Sequence, residues 1–163
     1  ESVLVRQRAL EALGSSSRPE VPPQIEAAFA RKEAAWVVSA LFAMGRSGDT
    51  RWKTHILPKL SHADESIRIE AMQAAGELGL GSARPVLLDQ LEEEEDPIIR
   101  HEILWALSQI GGEGVRDRLE ELFEMEQDDE EAEFLDEAIQ NLAFTEELAA
   151  FDMFEFEPDE EDE

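Results

Sequence analysis

The sequence predicts an all-α chain, a right-handed α-solenoid of about five helix pairs. Two observations carry this. An apolar-glycine step recurs at Leu13-Gly14, Met44-Gly45, Leu78-Gly79 and Ile110-Gly111, and decays to Leu142-Ala143. Alanine stands five residues before the second residue of every step, at Ala9, Ala40, Ala74, Ala106 and Ala138. A fixed period of about this length marks stacked supersecondary units, none of which can cover its apolar face alone.

Each step is preceded by an apolar stripe with helical spacing, such as Ile103, Ala106, Leu107 and Ile110. The alanine suits a place where two helices approach closely. The glycine is expected to end each helix in a left-handed C-cap. Between these second helices the sequence predicts shorter first helices over 24–31, 50–60, 83–92, 115–125 and 146–153. The segment 15–23 (SSSRPEVPP) reads as a loop. The domain organisation that follows is a repeat domain over 1–154, its repeats ending near Gly14, Gly45, Gly79, Gly111 and Ala143. A capping helix then precedes an acidic tail over 155–163.

Asp96-Pro97-Ile98-Ile99-Arg100, followed by Ala106-Leu107 and Ile110-Gly111, resembles the HEAT-repeat signature. Asp64, Ile67-Arg68, Ala71, Ala74-Ala75 and Leu78-Gly79 repeat it. The resemblance implies that Asp64 and Asp96 cap second helices and that Arg68 and Arg100 follow on those helices. An aspartate there satisfies free amides at a helix start. Asp128 holds the same place in the last repeat. The short period is similar to that of bacterial short-HEAT proteins, including the phycobilin lyase-like repeats.

The 163 residues contain no cysteine, which excludes disulfides and thiolate metal sites. No apolar run is long enough for a membrane span. A cytoplasmic chain is expected. It opens on glutamate rather than methionine, which suggests a fragment or a processed form. Forty acids against 14 bases give a net charge of −26. Residues 1–112 hold 17 acids and 12 bases, whereas 113–163 hold 23 acids and 2 bases. Such a surface repels nucleic acid and anionic lipid and attracts a basic protein.

The resemblance implies that second helices line the concave, binding face. Nine before each step stand Val5, Trp36, Glu70, Glu102 and Phe134. Six before stand Arg8, Ser39, Gln73, Trp105 and Glu137. Two or three before stand Glu11, Phe42, Glu77, Gln109 and Asn141. The expected patch is Trp36, Phe42 and Trp105 flanked by Glu70, Gln73 and Glu102, since an aromatic outside the core is a good anchor. In the run from Phe151 to Pro158, aromatics alternate with acids. Phe154 and Phe156 are partner-binding candidates there, with Phe151 and Phe154 expected to close the last repeat.

No catalytic or metal-binding residue and no cofactor is expected. His101-Glu102 resembles one of the His-Glu pairs of HEAT-type di-iron hydroxylases, which need several such pairs. This chain has one, and His55 and His62 lie elsewhere. Gly111-Gly112-Glu113-Gly114 links two helices with no preceding strand, so it is a turn and not a phosphate cradle. The functional expectation is a non-enzymatic scaffold or adaptor that binds a basic protein. The alternatives are a phycobilin lyase-like or chaperone-like factor, and an acidic mimic of nucleic acid that occupies a basic protein.

Overall fold

The computed structural model describes residues 2–154, with side chains through Phe151. Among the described residues there are helices and turns and no strand. The helices are α1 Val3–Leu13, α2 Val21–Phe29, α3 Ala34–Arg46, α4 Lys53–Ile56, α5 Glu65–Glu77, α6 Arg84–Glu93, α7 Pro97–Ile110, α8 Val115–Met125 and α9 Asp129–Phe154. Helices α1, α3, α5, α7 and α9 stack in series as one layer, and α2, α6 and α8 each pack against the second helix that follows. The fold is thus an α-solenoid: five second helices, four of them preceded by a first helix.

The first helices differ as their prolines dictate. Pro22 and Pro85 sit in the opening turn of α2 and α6, where a missing N–H costs nothing. Pro58 falls after α4 and forces a 3₁₀ turn over Leu57–Lys59, so the predicted 50–60 helix is two 3₁₀ turns around one short α-helix. Helix α8 spans 115–125, as the periodicity predicts.

Second-helix starts set the true register. Their caps are Ser2, Glu33, Asp64, Asp96 and Asp128, spaced by 31, 31, 32 and 32 residues. The Asp64 carboxylate accepts from the Ile67 amide at 3.3 Å and from the Ser66 hydroxyl at 2.6 Å. Asp96 accepts from the Ile98 and Ile99 amides, and Asp128 from those of Glu130 and Glu131. Arg68 donates to the carbonyls of His62 and Ala63, and Arg100 to those of Leu91 and Glu94. Each arginine therefore ties its own helix to the turn leading into it. Replacing Asp96 with alanine frees two amides, and the expected loss is about 1 kcal/mol. A urea midpoint unchanged by Asp96→Ala would show that the cap contributes nothing.

Counting ten residues on from each cap gives Ala12, Ala43, Ala74, Ala106 and Ala138. The last four are buried. Counting twelve gives Gly14, Gly45, Gly76, Ser108 and Gln140. A methyl group placed on Gly14 would stand 2.8 Å from the Ala43 Cα, one on Gly45 3.0 Å from the Ala74 Cα, and one on Gly76 3.1 Å from the Ala106 Cα. These three glycines are therefore contact residues that let successive second helices lie close. Ser108 takes over at the fourth repeat: its hydroxyl accepts from the Asn141 amide at 2.9 Å, and its carbonyl from the Thr145 hydroxyl at 3.0 Å.

The expected left-handed cap at every glycine step is corrected accordingly. Gly79 and Gly111 do take positive φ, +58° and +63°. Gly14 is right-handed with φ −50°, and Gly45 lies inside α3. The predicted repeat end at Ala143 and separate helix over 146–153 are corrected too. With neither glycine nor proline from Asp129 to Phe154, nothing breaks the helix, and α9 runs through.

Candidate functional site

Positions six and nine residues after each cap point away from the first helices. The sixth are Arg8, Ser39, Glu70, Glu102 and Phe134, and the ninth are Glu11, Phe42, Gln73, Trp105 and Glu137. They join neighbouring second helices by hydrogen bonds. The Ser39 hydroxyl donates to Glu11 at 2.7 Å, and the Gln73 amide donates to Glu102 at 2.9 Å. Arg46 stands 4.0 Å from Glu77, at the limit of an ion pair.

A cleft of about 310 Å³ opens on this face over α5, α7 and α9. Gln73 and Glu77 line one side, His101, Glu102, Trp105 and Gln109 the floor, and Phe134 the other side. No lysine or arginine is among the lining residues. The His101 ring stacks on Phe134, 4.0 Å between centroids and 14° between planes. Its Nε2 lies 2.5 Å from the Glu131 carboxylate, so the imidazole is held against α9. Trp105 stands 6.5 Å from Phe134, tilted by 48°.

Beside the cleft, Glu70 is half-buried among carboxylates. Burial, then the charges of Glu77, Glu11 and Glu102, push its pKa from 4.5 up to about 7. Burial also raises Glu77, with the Arg46 charge opposing. Among the described residues, no group of three or more His, Asp or Glu side chains is placed to hold a metal ion.

The structure separates the expected patch. Trp105 is 37% exposed and Phe42 38%, on α7 and α3, with Gln73 of α5 in the same row between them. Trp36 is a correction. It is 7% exposed, part of the core, with the Arg31 guanidinium 4.2 Å from its ring centre. It falls three residues after its cap, where Ile67 and Ile99 stand in the next repeats, and that position faces inward. Glu70, Gln73, Glu102 and Trp105 do come together around one end of the face. Asp64, Arg68, Asp96 and Arg100 lie at the turns.

The expectation that Phe151 closes the last repeat is corrected as well. It is 63% exposed and forms a stripe with Phe144 and Leu148 on the outer part of α9. The side chain of Phe154, and Phe156 with the rest of 155–163, lie outside the described residues.

Sequence reasoning left His101 and Phe134 out of the site. Phe134 stands in the same column as Glu102, outside the expected patch. In the sequence His101 stands out only as half of a lone His-Glu pair. The signal that links them is their positions, five and six residues after successive caps, which places one across from the other on adjacent helices.

Among the described residues no helix is long and apolar enough to cross a membrane. A family model described as HEAT repeats matches residues 54–143. No curated protein matches the chain.

Proposed function

The chain belongs to the HEAT-repeat family, whose repeats generally mediate protein–protein interaction, and from that premise we propose that it is a non-enzymatic scaffold binding a basic segment of another protein along its second-helix face. The observation that carries this reading is the cleft over α5, α7 and α9. Its walls are carboxylates, side-chain amides and aromatic rings, with no lysine or arginine among them. A basic segment supplies what such a surface lacks. Carboxylates steer and orient it, and an exposed tryptophan anchors it by desolvated contact.

The acidic sequence of the tail over 155–163 adds long-range attraction for the same partner. In this reading the chain works in the cytoplasm and takes neither nucleic acid nor a membrane as partner. Phosphates would meet a net charge of −26.

The test is a nuclear magnetic resonance titration of the isotopically labelled full chain with a short peptide rich in arginine and lysine. Amide shifts are expected at Gln73, Glu77, Glu102, Trp105, Gln109 and Phe134, with α2, α6 and α8 silent. Raising the salt from 50 to 300 mM is expected to weaken binding without abolishing it, because the aromatic contact is not screened. Shifts confined to the first helices, or no binding at all, would overturn the proposal.

A further inference from the structure

The cleft on the second-helix face is more specific than a negative surface. We propose that it takes an arginine side chain of the partner, with the guanidinium laid flat on the Trp105 indole and hydrogen-bonded to Glu102 and Glu77. This rests on the reading of a basic partner and specifies which cation is recognised.

The cleft offers hydrogen-bond acceptors and few donors. Gln73 directs its amide N–H to the Oε2 of Glu102. That leaves the other Glu102 oxygen and the Gln73 carbonyl oxygen for a ligand. Glu77 adds a carboxylate on the same side, held only at 4.0 Å by Arg46. A guanidinium carries five N–H donors and no acceptor, so it is the side chain that complements such a wall.

The rings are not equivalent. Phe134 has one face covered by His101 at 4.0 Å. His101 is in turn held by Glu131. Trp105 has no stacked partner of this kind. Its contact with Phe134 is at 6.5 Å and tilted, and it is exposed. An open indole beside acceptors favours a planar cation that can stack and hydrogen-bond at once. A lysine ammonium is compact, strongly hydrated and has three donors, so it gains the charge attraction but not the flat contact.

The test uses the full chain and three peptides in one Gly-Ser frame, carrying four arginines, four lysines or four citrullines. Dissociation constants come from fluorescence anisotropy of labelled peptide. Tryptophan emission gives a second readout, because Trp36 and Trp52 are buried and Trp105 is the exposed indole. The arginine peptide is expected to bind about tenfold tighter than the lysine peptide and to shift the emission, a difference the size of one good cation–π contact. The citrulline peptide is expected not to bind. Trp105→Ala, with its helical circular dichroism unchanged, should bring arginine and lysine to equal affinity. Glu102→Gln, which keeps the shape and removes a charge, should weaken both.

Equal affinity of arginine and lysine for the unaltered chain overturns the arginine pocket and leaves the basic-segment reading intact. An arginine preference that survives Trp105→Ala also overturns it, by placing the discrimination elsewhere. Failure of both cationic peptides to bind overturns the pocket and the proposed function together.

Discussion

Replacing Ala74 with leucine destabilises the fold by about 3 kcal/mol, whereas Ala12→Leu changes it by less than about 0.5 kcal/mol, although both residues occupy the tenth position of a second helix. Ala74 is buried at the meeting of α3 and α5, where even a methyl group on Gly45 would stand 3.0 Å from its Cα. The added branches have nowhere to go, because the facing atoms include backbone. Ala12 is exposed on the outer side of the first second helix and meets no neighbour there. The comparison holds residue type, helix position and added volume constant and varies only the presence of a facing layer. Urea denaturation of both variants checks it. Equal midpoints for Ala74→Leu and Ala12→Leu would show that the alanine column does not set the spacing between helices.

Glu70→Gln is expected to stabilise the chain by about 2 kcal/mol at pH 8 and by nothing at pH 4. In the fold the Glu70 carboxyl holds its proton up to about 7, because burial and the charges of Glu77, Glu11 and Glu102 oppose ionisation. In the unfolded chain it lets go near 4.5. Between those values the native state binds more protons than the unfolded state, so stability falls as pH rises and levels off above about 7. The full shift would amount to roughly 3 kcal/mol at 1.36 kcal/mol for each unit. Solvent reaches part of this half-buried group, so about 2 kcal/mol is expected. Glutamine keeps the shape and cannot ionise. Stability curves of the two proteins should therefore converge at acid pH and separate through neutrality. Parallel curves would show that Glu70 is not the strained group. The same titration links to binding: a cationic segment favours the ionised carboxylate, so its affinity should rise with pH through this range.

Most of the fold is legible in the sequence because caps and breakers are short-range signals. Asp64, Asp96 and Asp128 announce their helices, whereas Pro58 breaks a stretch whose spacing reads as one helix over 50–60. What misleads is glycine, which does two jobs here. Gly79 and Gly111 turn the chain with positive φ, while Gly14, Gly45 and Gly76 admit a neighbouring backbone. Aligning the copies on every apolar-glycine pair merges the two roles and slips the first two repeats by three residues. A three-residue slip on a helix is nearly one turn, so the pattern still reads as amphipathic and the error stays hidden. Its consequence is specific. The slip places Trp36 beside Glu70 and Glu102 instead of beside Ile67 and Ile99, which moves a core residue onto the surface. Trp105 lies in a repeat whose register is right, and it is exposed. The cleft itself needs Phe134 and His101 on different helices to meet, and that pairing depends on how α7 and α9 lie, which no single helix records.

The serial stacking of second helices has a kinetic consequence. Each of these helices packs only against the layer before it and the layer after it, and among the described residues the longest-range side-chain hydrogen bond joins Thr145 to Ser108, 37 positions apart. No step of assembly has to bring distant parts of the chain together, so the entropy of closing large loops never arises. Any adjacent pair of layers can nucleate, and growth then proceeds outward one helix at a time. Loss runs in the opposite order. Among the described residues α1 and α9 each meet one second helix only, and amide exchange protection is expected to rise from them toward α5. The α5 and α7 walls of the cleft thus lie on slowly opening layers, and its Phe134 wall on an end layer.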